Sequence, residues 1–205
     1  MIKNIVFDWS GVIVNNIKAA HQASNAVLKA FGVEENSLDK FQDQWEAPYM
    51  KYYWRYIPDL TLEEEKRIYK KSLAQFGEVE LYPGVVETLN QLQKSGIKMV
   101  VLSSEPAITL TAEMKKYNLT DFFQDVILDI HDKGEVIKDL VNKHSFHPAE
   151  TVIIGDTTHE IKIGQDLGLI TMAVTSGFQK EEKLKSANPD YIIEDIRGLP
   201  AIVAD

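Results

Sequence analysis

The segment Ile5-Val6-Phe7-Asp8-Trp9-Ser10-Gly11 is a short apolar run that ends in an aspartate and continues into a glycine-containing turn. Five further apolar runs follow it along the chain, at residues 99–102, 126–128, 152–154, 170–174 and 191–193. All six are near-continuous in apolar residues rather than alternating, which is typical of parallel strands covered on both faces. The runs therefore predict a parallel sheet that begins with residues 5–7.

Helical patterns lie between these runs. Val85, Leu89 and Leu92 share one helical face, and Gly96 is a typical helix stop. Residues 136–141 carry a second apolar stripe of the same kind. Alternating strands and helices predict an α/β fold with an open, doubly wound parallel sheet. In such sheets ligands bind beyond the carboxyl ends of the strands, where the strand order switches.

Residues 15–81 interrupt this alternation and contain two helical patterns. The first has small and apolar residues at helical spacing: Ala19, Ala23, Val27 and Ala30. The second begins at Thr61-Leu62-Glu63-Glu64, which matches a capping box, and its expected apolar face is Leu62, Tyr69, Leu73 and Phe76. We therefore expect residues 1–14 and 82–205 to form the α/β core, and residues 15–81 to form an α-helical cap inserted into it.

The composition limits the classes of partner. The 205 residues include 22 basic and 31 acidic side chains, which gives a formal net charge of −9. An acidic chain is a poor match for nucleic acids or anionic membranes, since phosphate neutralisation needs clustered Lys and Arg. There are no cysteines, which excludes a thiolate nucleophile or a zinc–thiolate site. We expect a cytoplasmic monomer or homodimer with no nucleic-acid or membrane partner.

Four of the apolar runs are followed by polar residues of particular kinds. Asp8 follows the first, Ser103 and Ser104 the second, the segment 129–133 with Lys133 the third, and Asp156 the fourth. The carboxyl ends of parallel strands meet at one edge of a sheet, so these side chains should converge on one crevice. Two carboxylates for a metal, a hydroxyl donor and a cation are what phosphoryl transfer requires.

The order Asp8-x-x-Gly11, Ser103, Lys133 and Gly155-Asp156-x-x-x-Glu160 resembles the four motifs of the haloacid dehalogenase superfamily. The resemblance is best to the phosphoglycolate-phosphatase-like branch with a small helical cap. It covers essentially the whole chain, including the closing segment 188–193. It implies a phosphatase that acts on a small phosphorylated metabolite with Mg²⁺ as cofactor.

The resemblance also implies roles for individual residues. Asp8 would attack phosphorus to form an aspartyl-phosphate and would also bind Mg²⁺. The backbone carbonyl of Ser10 and the carboxylate of Asp156 would complete the protein's share of the metal ligands, since Mg²⁺ keeps several waters. Glu160 would bind the metal, hold one of its waters or orient Lys133.

The substrate contacts follow from the same resemblance. The Ser103 hydroxyl would donate to the phosphoryl oxygens, and Lys133 would neutralise them. Lys133 is expected in the polar loop that follows the third strand. Ser10 and Ser104 complete the expected substrate-binding residues.

Ser10 is a departure from the resemblance. Phosphatases of this family usually carry a second aspartate two positions after the nucleophile, as general acid and base. A serine hydroxyl does not readily protonate a leaving alkoxide, and a positioned acid–base group is worth about 10²–10⁴-fold in rate. His131 and His159, which flank the expected crevice, are candidate substitutes because histidine titrates near neutral pH.

Three alternatives to a phosphatase remain open at this point. Phosphonoacetaldehyde hydrolases resemble this chain around residues 7–11 and use a cap lysine as a Schiff base, a role for which Lys51 is the candidate. Haloacid dehalogenases attack carbon without Mg²⁺, a reading that the carboxylates of Asp156 and Glu160 disfavour. A binding or regulatory protein on the same fold, inactive because of Ser10, is the third.

Other polar and aromatic residues have simpler interpretations. His144 and His147 have ligand-like spacing but straddle a helix end before Pro148, so we expect surface residues. The cap also contains an aromatic group, which forms either the cap core or a wall around substrate or a dimer surface: Trp45, Tyr49, Tyr52, Tyr53 and Trp54.

Overall fold

A computed structural model describes residues 1–204 and contains one six-stranded parallel sheet and one two-stranded antiparallel ribbon. The strands of the sheet are β1 Asn4–Phe7, β4 Lys98–Leu102, β5 Asp125–Ile127, β6 Thr151–Gly155, β7 Ile170–Val174 and β8 Tyr191–Ile193. The ribbon pairs β2 Val14–Asn15 with β3 Glu80–Leu81. In the sheet the spatial order is β5-β4-β1-β6-β7-β8. The predicted parallel α/β sheet is confirmed.

Ten α-helices connect these strands within the described residues. They are α1 Ile17–Ala30, α2 Leu38–Gln44, α3 Met50–Trp54, α4 Leu62–Phe76, α5 Val85–Lys94, α6 Ala107–Lys116, α7 Lys133–Lys143, α8 Thr158–Asp166, α9 Glu181–Ser186 and α10 Leu199–Val203. As expected, Gly96 lies just beyond α5 in the left-handed region, with φ of +76°.

Helices cover both faces of the sheet, which is the doubly wound arrangement. Ile5 and Phe7 of β1 point to one side and pack in a core with α5, α6 and α10. Val6 points to the other side, where it packs with residues of α7 and α8. Because both faces are buried, every residue of β1 must be compatible with a core, which explains the continuous apolar run.

The strand order switches beside β1. From β1 the chain crosses to β4 and β5 on one side, and it then returns to β6 on the other. Phe7 is in register with Val101 on β4 and with Ile154 on β6. Asp8, the next residue, therefore lies beside the carboxyl ends of both neighbours, at the position where α/β sheets bind ligands.

The cap helices α1 to α4 all lie between β2 and β3. Their shared core includes the fully buried side chains of Phe41, Met50 and Tyr52. Val14 pairs with Leu81, so the ribbon holds the two ends of the insertion together. Residues 15–81 as the bounds of a separate cap domain stay a prediction.

Helix α4 differs from its expected packing. The Thr61 hydroxyl accepts from Glu64 N and the Glu64 carboxylate accepts from Thr61 N, so the predicted capping box is present. However, Leu62 is exposed, and the residue that α4 buries is Glu65. Tyr69, Leu73 and Phe76 are partly buried, and Tyr69 packs against the cap core, so the expected face is wrong at Leu62 alone. No helix of residues 1–204 has the length and apolar character needed to cross a membrane.

Gly164 of α8 provides a test of how closely this helix packs on the sheet. A Cβ at this position would lie 2.5 Å from Ile153 Cγ2 and 2.6 Å from Thr171 Cγ2. Helix propensity alone would make Gly164→Ala stabilising by about 1 kcal/mol. We expect the overlap to dominate, so that urea denaturation shows a loss of about 1–3 kcal/mol.

The matched control is Gly134→Ala on the exposed side of α7. There the nearest atom to a new Cβ is a carboxylate oxygen of Asp132 at 3.2 Å. This variant should change the free energy of unfolding by no more than about 0.5 kcal/mol. A stabilising Gly164→Ala would contradict the close packing of α8 on β6 and β7.

Candidate active site

The four predicted strand ends meet at one cavity between the sheet and the cap. Asp8 follows β1, Ser103 follows β4 and Asp156 follows β6, and all three line this cavity together with Lys133 and Glu160. Ser10 and Ser104 line it as well. All the residues singled out from the four motifs are therefore close in space, although their roles stay predictions.

Lys133 lies at the centre of this group. Its Nζ donates to Glu160 Oε1 at 2.7 Å and is 2.7 Å from Asp8 Oδ2. The lysine is 5% exposed. It is the first residue of α7 rather than part of a loop, which corrects the sequence-based expectation. A cation is unfavourable at a helix N-terminus, so the two carboxylates hold it there against the helix dipole.

Three carboxylates surround the predicted metal position. Asp8, Asp156 and Glu160 each offer an oxygen atom, and these atoms lie within 4.8 Å of one another. All three side chains are buried. One ammonium group balances only one of three negative charges, and oxygen ligands are what Mg²⁺ prefers. The residues therefore fit a divalent cation.

The ionisation of these groups reflects burial and mutual repulsion. Burial raises the pKa of Asp8 to about 6, although Lys133 opposes the shift. Burial, with repulsion from Asp8 and Glu160, raises the pKa of Asp156 well above its usual range. Lys133 holds the pKa of Glu160 below its ordinary value despite burial. Burial would lower the pKa of Lys133, but Asp8 and Glu160 raise it above its ordinary value.

Two glycines allow the chain to close around Asp156. A Cβ on Gly11 or on Gly177 would lie 2.0 Å or 2.1 Å from Asp156 Oδ2. Gly11 has φ of +76°, a conformation that also favours glycine. Phe178 N donates to the same oxygen at 2.6 Å. Backbone contacts thus fix one oxygen of Asp156, and its other oxygen is free to serve as a ligand.

The serines occupy the two sides of the nucleophile. Ser103 is buried, and its Oγ accepts a hydrogen bond from Glu105 N at 3.1 Å. Its hydroxyl hydrogen is therefore available for a substrate oxygen. Ser10 Oγ donates to Glu105 Oε2 at 2.9 Å and accepts from Asn16 Nδ2 at 2.8 Å.

Glu105 is a cavity residue that the sequence did not reveal. It is buried, and burial together with the nearby Glu113 raises its pKa to about 8. It contacts Ser10, the position at which the family usually carries an aspartate. The two residues are 95 positions apart, so no spacing pattern shows the contact; the only indication was a glutamate two positions after Ser103.

The cap supplies the opposite wall. Among the aromatic residues, Trp45, Tyr49 and Tyr53 line the cavity, whereas Tyr52 is buried in the cap core and Trp54 is 45% exposed. The cavity wall and the cap core are therefore both made by this aromatic group. Helix α4 adds further lining residues that sequence reasoning missed: Glu65, Lys66, Tyr69 and Lys70.

Lys51 does not reach the cavity. It is exposed on α3 and is absent from the cavity lining of residues 1–204. A Schiff-base lysine must touch the substrate carbonyl, so this placement argues against the phosphonoacetaldehyde-hydrolase alternative. The cap helix α3 buries Met50, Tyr52 and Tyr53, and Lys51 between them lies on the outer side of the helix.

The four histidines singled out from the sequence divide into two pairs. His131 and His159 line the cavity. His131 packs edge-on against Tyr49, with ring centroids 5.0 Å apart, and burial lowers its pKa. His144 Nε2 lies 2.9 Å from an Asp125 carboxylate oxygen outside the cavity, and His147 is exposed. His144 and His147 are thus separate from the site.

Comparisons with known proteins are consistent with this geometry. Residues 5–174 match the model of the haloacid dehalogenase-like hydrolase family. The chain is 27% identical over 202 residues to a phosphoglycolate phosphatase of Synechococcus elongatus, with 93% of this chain and 92% of that protein covered. It is 33% identical over 132 residues to pyrophosphatase PpaX of Oceanobacillus iheyensis, with 62% of each chain covered.

Solved structures show the same fold. A haloacid dehalogenase-like family hydrolase from Streptococcus pneumoniae superposes with a TM-score of 0.82 at 23% identity, covering 98% of both chains. The chain belongs to the haloacid dehalogenase-like hydrolase family.

The charge cluster predicts a pH-dependent cost of folding in the absence of metal. The pKa of Asp8 rises from 3.8 to about 6 on folding. The folded chain therefore holds a proton that the unfolded chain releases between these values, and stability falls as pH rises through that window. In EDTA at pH 7, Asp8→Asn should be more stable to urea than the parent by about 1–3 kcal/mol.

This advantage should shrink at pH 4, where the parent is also protonated, and in excess Mg²⁺, which binds the folded parent. Asp166→Asn, on the exposed end of α8, is the matched control and should show none of these changes. An Asp8→Asn variant no more stable than the parent in EDTA at pH 7 would contradict the buried repulsion.

Proposed function

We propose that this protein is a Mg²⁺-dependent phosphatase that hydrolyses a small phosphorylated metabolite through an aspartyl-phosphate on Asp8. The observation that carries the proposal is the buried cluster of Asp8, Asp156, Glu160 and Lys133 at the strand-order switch. The names of the relatives support it, since one acts as a phosphoglycolate phosphatase and another as a pyrophosphatase. The natural substrate belongs to the same broad class of small phosphorylated compounds.

The metal would be held by carboxylate oxygens of Asp8 and Asp156, with the backbone carbonyl of Ser10 as a further ligand. Bound there, it would neutralise phosphoryl oxygens and so assist attack by an anionic nucleophile. Glu160 would act mainly on Lys133: its Oε1 accepts from Nζ, while its Oε2 accepts a hydrogen bond from the Thr157 hydroxyl.

The chain's own residues would carry the first chemical step. A carboxylate oxygen of Asp8 attacks phosphorus, the bond from phosphorus to the leaving oxygen breaks, and the leaving alkoxide takes a proton from solvent water. Lys133 Nζ and the Ser103 hydroxyl donate to the phosphoryl oxygens as charge develops on them. Trp9 N donates to Asp8 Oδ1 at 2.6 Å and Lys133 lies against Oδ2, so the carboxylate is held in one orientation.

The second step returns Asp8 to its starting state. Water attacks phosphorus and loses a proton to solvent, the bond between phosphorus and the Asp8 oxygen breaks, and phosphate leaves. No aspartate is available at position 10 to deprotonate this water or to protonate the leaving group. We therefore propose an enzyme that favours substrates with good leaving groups.

The nucleophile is tested by Asp8→Asn in the presence of Mg²⁺. An amide is a poor nucleophile and a weaker metal ligand, so we expect a loss of at least about 10³-fold in p-nitrophenyl phosphate hydrolysis. EDTA should inactivate the parent and added Mg²⁺ should restore it. Asp166→Asn serves again as the control. Turnover by Asp8→Asn within tenfold of the parent would remove Asp8 from the nucleophile role.

The missing acid is tested by restoring an aspartate at position 10. Ser10→Asp alone would place a second carboxyl group against Glu105, since Ser10 Oγ is 2.9 Å from Glu105 Oε2. In the double variant Ser10→Asp/Glu105→Gln, no second carboxyl group is present to share a proton with the new aspartate. This variant should speed ethyl phosphate hydrolysis by up to about 10²-fold relative to the parent.

The diagnostic measurement is the ratio of kcat/KM for p-nitrophenyl phosphate to that for ethyl phosphate. The parent should have a large ratio, the double variant a smaller one, and Glu105→Gln alone should leave the large ratio in place. A parent ratio already near that of the double variant would show that another group supplies the proton.

A further inference from the structure

The inner side of α4 brings two lysines to the cavity. Lys66 and Lys70 line the same cavity as Asp8 and Ser103, but they belong to the cap wall. Lys66 Nζ donates to Asp129 Oδ1 at 2.9 Å, and Lys70 Nζ is 3.5 Å from Asp129 Oδ2. Two ammonium groups thus share one carboxylate, and one positive charge has no partner in this trio.

Asp129 is held in place by its backbone. Its φ is +60°, a conformation uncommon for residues other than glycine, asparagine and aspartate. Its N–H donates to the carbonyl of Glu105 at 3.2 Å. It also lies only four positions before Lys133, so one short loop joins the lysine of the catalytic cluster to the partner of the cap lysines.

These ion pairs are open to exchange. The side chains of Lys66, Lys70 and Asp129 are 30%, 41% and 35% exposed, so solvent screens the pairs. Glu65 is the other acidic group on this side of α4; burial raises its pKa to about 7, so it is only partly charged at neutral pH. An anion entering the cavity would therefore meet an excess of positive charge at the cap wall.

We propose that Lys66 and Lys70 bind a second anionic group of the substrate, a carboxylate or a second phosphoryl group, and that Asp129 occupies the lysines when no substrate is bound. The substrate class is then a phosphate monoester with a second anionic group a short distance from the first. This inference rests on the proposed phosphatase function, because it assumes that the first phosphoryl group binds at Asp8.

The experiment compares matched substrates that differ in the second anion. 2-Phosphoglycolate is paired with 2-hydroxyethyl phosphate, and 1,3-propanediol bisphosphate with propyl phosphate. For the parent, the double variant Lys66→Met/Lys70→Met and Asp129→Asn, kcat and KM are measured with each substrate. The first pair reports a carboxylate and the second pair reports a phosphoryl group.

We expect opposite effects from the two sides of the ion pair. The lysine variant should lose about tenfold or more in kcat/KM for at least one substrate that carries the second anionic group, mostly through KM. The matched substrate without that group should lose less than about threefold. Asp129→Asn frees the lysines, so it should raise the preference for the substrate that carries the second anionic group. A purely structural role would reduce turnover of substrates with and without the second anionic group alike in both variants.

Lys180→Met is the matched control for cap docking. Lys180 lies outside the cavity lining and pairs with Asp39 and Asp43 of the cap, so its loss removes a core–cap contact without changing the cavity. It should leave the substrate preference unchanged. Equal losses in the lysine variant for substrates with and without the second anionic group would overturn the inference while the proposed function stands. The same preference in all variants would overturn it as well.

The two proposals fail separately. If the parent hydrolyses neither p-nitrophenyl phosphate nor any of the four monoesters, the proposed function is overturned, and calorimetric titration of 2-phosphoglycolate and the bisphosphate into the parent then decides the inference. Binding of either compound that is weakened about tenfold in the lysine variant supports it. No binding, or unchanged binding, overturns it.

Discussion

The ammonium group of Lys133, held between Asp8 and Glu160, is the interaction on which the rest of the site depends. It makes two contacts of 2.7 Å in a position closed to solvent, where it holds together two buried carboxylates that would otherwise repel each other. Asp156 completes a cluster in which two negative charges stay uncompensated when all groups are ionised. The fold therefore concentrates negative charge that a divalent cation is suited to neutralise. Holding these charges together lowers the free energy of unfolding, which is consistent with a site shaped for function rather than for stability.

The sheet and the cap share the task of building this environment. The switch in strand order places Asp8 and Asp156 on neighbouring strands, and the glycines at 11 and 177 let the backbone close on the Asp156 carboxylate. Phe178, whose N–H binds that carboxylate, packs with its ring in the aromatic core of the cap. On the other side Asp129 joins the cap lysines to the loop that precedes Lys133. Cap position and site geometry are thus connected through both docking contacts.

Much of the fold was predictable because its determinants are local. Continuous apolar runs located all six strands of the sheet to within one or two residues, and polar residues after four of them located the site. The parts that failed depend on tertiary contacts. Lys133 begins a helix because two carboxylates from other elements compensate its charge, and α4 buries Glu65 at the wall of the cavity. The contacts of Ser10 with Glu105 and of Lys66 with Asp129 join positions 95 and 63 residues apart, which no periodicity reveals.

The proposed reaction transfers a phosphoryl group to the carboxylate of Asp8. Borohydride reduction of the enzyme, quenched in acid during turnover of p-nitrophenyl phosphate with Mg²⁺, converts an aspartyl-phosphate to homoserine, and peptide mass spectrometry locates the change. We expect homoserine at position 8, dependent on substrate and absent in EDTA. A phosphorylated residue elsewhere, or no homoserine at position 8 in enzyme quenched during steady turnover, would contradict it.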